Sequence, residues 1–341
     1  MINADSVVVV DEITTASKDY KIGRLTLNKP KALNALDLEM AGIMLDALRQ
    51  WQARSDIVAV VIDAAGEKAF CAGGDIVSMY NSMVEAHGEI PAFLETFFET
   101  EYTLDYTIHN YNKPIIVWGS GIVMGGGMGL LCGASHRVVT ENSRLAMPEI
   151  SIGLYPDVGG SYFLPRLPGK SGLFLGLTGG QMNAADAMYV GLADVMVSSA
   201  EKENLLQGLV DYAWNETSSS TLAEAVNTVL SRLQKPETEV QSNIEPNMPL
   251  INELCSANNV SEVVNAILTA DMQGDKWLSR AQSTLAKGSP ITMHLVFEQC
   301  KKGATMSLAD CFRMEADMSC RCGESGEFQE GVRALLIDKD M

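Results

Sequence analysis

The sequence predicts an α/β fold with a largely parallel sheet, and three observations carry that prediction. Residues 57–62 (Ile-Val-Ala-Val-Val-Ile) form an unbroken apolar run rich in β-branched side chains, as in a strand buried on both faces of a helix-flanked sheet. Strand-like runs recur at residues 113–118 and 137–140, alternating with segments of helical period. Between those two runs stands a glycine cluster, Gly125, Gly126 and Gly127, followed by the small-residue apolar run 128–132. Glycines there let backbone N–H groups approach a ligand, and a helix starting just after them adds its positive N-terminal end.

In chain order, residues 7–10 and 21–27 read as strands separated by a polar turn at 14–19. Asp37 opens a helix in which Met40, Ile43, Met44, Ala47, Leu48 and Trp51 recur with a 3.6-residue period. Residues 80–112 mix acids with Phe93, Phe97, Phe98, Tyr102 and Tyr106. They read as one or two helices packed over a pocket with an acidic outer face, in preference to an aromatic substrate box. After Val197 the texture changes. Residues 201–230 are helical in composition, while 231–249 hold three prolines and no apolar period, and read as a loop. Helical patterns follow at 259–270, 276–286, 291–300 and 308–318. Residues 1–200 are therefore expected to form an α/β core with the active site, and 201–341 a helical C-terminal region.

Composition narrows the function. A formal net charge of −18 over 341 residues argues against nucleic acid and anionic membrane as partners. An anionic ligand would have to be held by local basic groups and backbone donors. Seven cysteines without a regular framework read as reduced thiols, and Cys320 and Cys322 as helix residues. The N-terminal residues show no basic-apolar or Arg-rich presequence, so the expected location is cytoplasmic. The four histidines lack metal-ligand spacing, and no metal is expected. Gly169-Lys170-Ser171 has Leu164 where a phosphate-cradling loop needs its first glycine. Gly119-Ser120-Gly121 is not a G-x-S-x-G elbow, which weakens a serine hydrolase reading.

Two carboxylates stand out. Glu149 follows Pro148 and Asp157 follows Pro156, both among Met147, Ile150, Leu154, Tyr155 and Val158. At least one is thereby placed for partial desolvation and proton chemistry. Read alone, such pairs are more often turn or cap residues.

Five ordered motifs settle the choice: LNKPKALNAL (27–36), FCAGGDI (70–76), GGGMG (125–129), PEISIGLYPDVGGSYFLPRL (148–167) and EFQEGVRALLIDKD (327–340). With them the chain resembles the crotonase (enoyl-CoA hydratase/isomerase) superfamily, and within it the 3-hydroxyisobutyryl-CoA hydrolases. The resemblance implies a spiral of ββα units and an acyl-CoA substrate, with no cofactor because CoA is part of the substrate. It also implies a homo-oligomer, trimer or hexamer. It assigns the N–H groups of Gly74 and Gly126 to an oxyanion hole, and Glu149 with Asp157 to the chemistry. CoA contacts are implied for Cys71, Ala72, Gly73, Asp75 and Gly125, with Lys29 and Lys31 as phosphate candidates and Arg166 and Lys170 behind them. Hydratases of this fold carry a further glutamate just after the glycine triplet, where this chain has Gly129. Thioester hydrolysis is therefore expected; hydration or isomerisation of an enoyl-CoA, or a non-catalytic CoA-binding scaffold, are the alternatives.

Overall fold

The computed structural model describes residues 6–214 and 219–340. The chain groups into two compact units that interleave along the sequence. Residues up to 73, 103–144 and 183–241 form the first, and residues 74–102, 145–182 and 242 onward the second.

Among the described residues there are nine strands: β1 (Val8–Thr14), β2 (Lys21–Leu27), β3 (Ile57–Ala64), β4 (Ala69–Cys71), β5 (Ile115–Gly119), β6 (Ile122–Met124), β7 (His136–Thr140), β8 (Arg144–Ala146) and β9 (Val195–Val197). The first unit is built on a six-stranded sheet of order β1-β2-β3-β5-β7-β9. Only the β1–β2 pair is antiparallel; the rest run parallel, in registers such as Val60 opposite Ile115 and Val138 opposite Val195. Every residue of β3 is buried, as its unbroken apolar run predicts. β1 runs on to Thr14, beyond the apolar residues that announce it. Its burial alternates, so Asp11 and Glu12 belong to the strand, and Glu12 pairs with Lys21 (2.9 Å) and with Arg54.

Asp37 caps the helix Leu38–Gln52 by accepting from the Met40 N–H (2.8 Å), and the buried Met40, Met44, Leu48 and Trp51 keep the expected period. Helices Lys202–Asp211 and Ser219–Leu230 add Leu205, Leu209, Leu222, Val226 and Val229 to one apolar cluster with Ile22, Val61, Ile116 and Val138 of the sheet. The division at residue 200 expected from composition therefore runs through the first unit. A change of texture marks where strands give way to helices, and it does not say on which surface those helices pack.

The second unit is helical. Its described helices include Ile76–Ala86, Lys276–Lys287, Pro290–Gly303, Leu308–Glu324 and Glu327–Val332, the last running into a π turn, Arg333–Ile337. The loop expected over residues 231–249 ends early, because a helix spans Ile244–Leu254 with Pro249 inside it. Pro246 lies in the first turn, where its missing N–H has no helical acceptor anyway. Buried Ile244, Ile251 and Leu254 supply the burial that offsets the interior proline. All seven cysteines are free thiols. Among the described residues no helix is long and apolar enough to cross a membrane.

Candidate active site

In the first unit the backbone brings three of the motifs together. β4 and β6 run parallel, with Ala69 opposite Ile122 and Cys71 opposite Val123, so the chain leaves both strands side by side, at Ala72-Gly73 and at Gly125. Gly127 sits so close that a Cβ there would lie 2.4 Å from the Cys71 carbonyl oxygen, which only glycine permits. The helix Gly126–Gly133 starts within the glycine cluster, two residues earlier than expected, and all eight of its residues are buried. Gly125, with φ 47°, is its N-cap and offers no side-chain acceptor.

The Asn-Lys-Pro-Lys turn clasps the same strand end. Leu36 N–H donates to the Gly73 carbonyl (2.8 Å), and Ala72 N–H to Leu33 (3.1 Å). Asn34, buried and with φ 55°, donates to the carbonyls of Ala65 (3.0 Å) and Ala69 (2.9 Å) and accepts from the Lys29 N–H (2.9 Å). Lys29 is committed to Asp37 (2.6 Å), whereas Lys31 is exposed in the turn Pro30–Ala32. Asn34→Ala orphans one buried and one partly buried carbonyl and puts a Cβ residue without a local hydrogen bond in left-handed backbone. An expected loss of about 2–4 kcal/mol of stability follows, measurable by urea unfolding.

Gly74 falls in the second unit, packed on Met79 and the ring of Phe97. Asp75 spends its carboxylate on the N-terminus of Ile76–Ala86, accepting from Ser78 N–H (3.3 Å) and hydroxyl (2.8 Å). Arg166 is also structural: it stacks on Tyr162 and donates to the carbonyls of Tyr162, Gly303 and Met306.

The second unit holds the carboxylates. Glu149 begins a single 3-10 turn, Glu149–Ile152, and Asp157 follows a stretch whose carbonyls are held from helix Pro290–Gly303. Thr292 donates to Leu154 (2.7 Å) and Gln299 to Pro156 (2.7 Å). Both acids are 4% exposed, and a third, Glu101 at 2%, joins them. The Tyr102 hydroxyl donates to Asp157 Oδ2 at 2.6 Å. Glu149 Oε2 and Glu101 Oε1 are buried with no protein hydrogen-bond partner.

Burial, and next the charge of Asp157, push both Glu149 and Glu101 well above the usual carboxylate range. Burial also pushes Asp157 up, to about 6, against the pull of the Tyr102 hydrogen bond. Like charges gathered in one dry cluster cannot all persist. Asp157 has the hydroxyl donor that favours its charged form, whereas burial, and next the Asp157 charge, favour the protonated form of Glu149. Such a cluster can exchange a proton at Glu149.

Glu101 is not singled out by sequence, and Tyr102 reads there as a packing aromatic and not as a site residue. The pattern does contain them. Leu94, Phe97, Phe98, Glu101 and Tyr102 recur at helical spacing and are all buried, so Glu101 stands on the inner face of Ala92–His109 and not on the acidic outer one. Phe93, Phe97, Phe98, Tyr102 and Phe312 form a continuous series of ring contacts, with centroids 5.5–6.2 Å apart.

A parallel sheet, a buried glycine turn and a dry carboxylate cluster define a crotonase-fold protein. The chain belongs to the enoyl-CoA hydratase/isomerase family, whose profile matches residues 22–341. Among curated proteins it is 42% identical to the mitochondrial 3-hydroxyisobutyryl-CoA hydrolase of Danio rerio, over 94% of this chain and 81% of that one. The enzyme of the same name from Homo sapiens is 36% identical over 93% and 80%. Among solved structures it is similar to an enoyl-CoA hydratase from Rhodobacter sphaeroides (TM-score 0.83, 33% identity, 98% of this chain and 90% of that one). A carnitinyl-CoA dehydratase from Mycobacterium thermoresistibile is equally similar (TM-score 0.84, 33% identity, 98% and 91%). The named relatives are mitochondrial, so the cytoplasmic location expected from sequence draws no support from them.

Proposed function

We propose that this protein hydrolyses the thioester of a 3-hydroxyacyl-CoA, with 3-hydroxyisobutyryl-CoA as the preferred substrate, releasing the hydroxy acid and CoA. The carrying observation is the buried Glu149–Asp157 pair, with one Glu149 oxygen unpartnered and Gly129 where a hydratase has its other glutamate. The relatives named as hydrolases at 36–42% identity support the same reading. Glu149, once ionised, takes a proton from water or attacks the carbonyl itself, and Asp157 receives the substrate's 3-hydroxyl. The N–H groups of Gly74 and Gly126 are the donors assigned to the oxyanion. CoA is assigned to the backbone of Cys71 to Asp75 and to Gly125, with Lys31 free to meet a phosphate. No resident cofactor takes part, and assembly into a trimer or hexamer belongs to the same proposal.

The test is one incubation with 3-hydroxyisobutyryl-, 3-hydroxypropionyl- and crotonyl-CoA, following free thiol and enoyl absorbance separately. Thiol release from the two hydroxyacyl thioesters is expected, with crotonyl-CoA hydrated slowly or not at all. Rapid hydration without thiol would instead place the chain with the hydratases its solved neighbours are named for.

Asp157→Asn separates the two acids. A charge-assisted hydrogen bond is worth roughly 1.5–3 kcal/mol, so kcat/KM for hydroxyacyl substrates is expected to fall about 10- to 150-fold. Unsubstituted acyl-CoA should lose less. The pH profile should move as well. Ionised Glu149 is the active form, so a raised Glu149 pKa sets an acid limb; removing the Asp157 charge lowers that pKa and shifts the limb to lower pH. Equal losses on both substrate types would return Asp157 to the bond-breaking step.

A further inference from the structure

Helix Leu308–Glu324 reaches the carboxylate cluster with two side chains one turn apart, Glu315 and Ser319, both fully buried. Glu315 accepts from the Gly159 N–H through Oε2 and from the Ser161 N–H through Oε1, each at 2.8 Å. Its backbone carbonyl accepts from the Tyr155 hydroxyl, also at 2.8 Å. One residue thus holds the chain on both sides of Asp157.

That stretch needs holding. Val158 has φ 49° and Gly159 φ 90°. A β-branched residue in left-handed backbone persists only where its surroundings over-determine it. The short helix Gly160–Phe163 opens on Gly159, a cap without a side chain, and Glu315 supplies the acceptor from another helix.

Ser319 closes the other route to Asp157. Its Oγ lies 2.7 Å from the Tyr102 hydroxyl and 2.8 Å from that of Tyr155, while Tyr102 donates to Asp157. Hydrogens can be counted along this row. With Asp157 ionised, Tyr102 donates to Asp157 and Tyr155 to the Glu315 carbonyl, and the Ser319 hydroxyl donates to one of the two tyrosine oxygens. With Asp157 protonated a fourth hydrogen is present, and Tyr102 and Ser319 turn about so that the row runs from Asp157 to the same carbonyl. Both states are satisfied by rotating hydroxyls alone.

We propose that Glu315 and Ser319 are positioning residues for Asp157: Glu315 fixes the backbone that presents the carboxylate, and Ser319 orients, through Tyr102, the hydrogen bond that holds its charge. The inference deepens the hydrolase reading and rests on Asp157 acting in it. On top of burial, the charge of Asp157 raises the pKa of Glu101 and Tyr102 from Ala92–His109, of Glu149 and Tyr155 from the preceding segment, and of Glu315 and Cys322 from Leu308–Glu324. Its own titration is set by burial against the Tyr102 hydrogen bond and a backbone hydrogen bond.

The experiment follows the Asp157 carboxyl by ¹³C NMR in the full chain labelled at aspartate, the signal assigned by its loss in Asp157→Asn. In Ser319→Ala the midpoint is expected to rise by about half a pH unit or more, because Tyr102 loses the hydrogen bond that polarises it toward Asp157. Ser319→Cys, nearly isosteric with a weak donor, should fall between. Glu315→Gln presents an amide group to one backbone N–H; its kcat is expected to drop about tenfold or more while KM changes far less. If wild-type protein releases no thiol, the hydrolase reading fails and the titration still decides the positioning role. If folded Ser319→Ala and Glu315→Gln both titrate as wild type, Tyr102 alone holds Asp157 and the proposal falls. Should Glu315→Gln not fold, Ser319→Ala decides.

Discussion

Glu149→Gln is expected to fold and to lose about 100- to 10,000-fold in kcat on every acyl-CoA, the range a positioned base contributes. The fold should survive because Glu149 Oε2 has no protein partner to lose. Stability gives an independent check on the same residue. Burial raises the folded-state pKa of Glu149 well above its ordinary 4.5, so folded wild-type protein holds a proton that the unfolded chain has released. Its contribution to stability therefore declines as pH rises from about 4.5 toward the raised value. Glutamine does not titrate, so the variant should gain on wild type across that window, read from melting temperatures. A variant that gains nothing with pH would mean that Glu149 ionises freely in the folded protein. Single turnover in ¹⁸O-water distinguishes the two roles of Glu149 in wild type. Attack by the carboxylate passes an unlabelled oxygen into the hydroxy acid, whereas base-assisted attack by water labels the acid directly.

How much of this was legible in sequence depended on whether a residue's partner was local. The all-buried strand Ile57–Ala64 and the helix capped by Asp37 were plain because period and cap are properties of neighbouring residues. Glu149 and Asp157 stood out because proline and apolar residues flank them. Glu101 was harder to see: it belongs to a helix rich in acids, and only its position on the buried face separates it from Glu99 beside it. Glu315 and Ser319 lie more than 150 residues from the loop they hold, with no local peculiarity to mark them. Pro246 and Pro249 misled in the opposite direction, since a first-turn proline is compatible with a helix and tertiary burial offset the second. Lys29, a phosphate candidate in the sequence, pairs with Asp37 in the fold, a contact that its neighbours in sequence do not announce.

Gly126→Pro should remove activity while leaving the helix it begins intact. Gly126 is the first residue of Gly126–Gly133, the position where proline is most readily accommodated and where the N–H has no partner within the helix. The intrahelical bonds nearby, from Met128 (2.7 Å) and Gly129 (3.2 Å) to the Gly125 carbonyl, do not involve that N–H. What the substitution deletes is the donor assigned to the oxyanion, and losing one such donor typically lowers kcat by about 100- to 1000-fold. Gly126→Ala keeps the N–H and adds a methyl group, so comparing the two variants isolates the hydrogen bond from the added bulk. Gly127→Ala makes the contrast, because its Cβ would lie 2.4 Å from the Cys71 carbonyl oxygen and must disturb the packing of β4. The expected order is therefore a folded, inactive Gly126→Pro, a folded and more active Gly126→Ala, and a destabilised Gly127→Ala, read from circular dichroism, melting temperature and kcat together. A folded Gly126→Pro with near-normal kcat would show that the oxyanion is held elsewhere; equal losses in the proline and alanine variants would assign the effect to bulk.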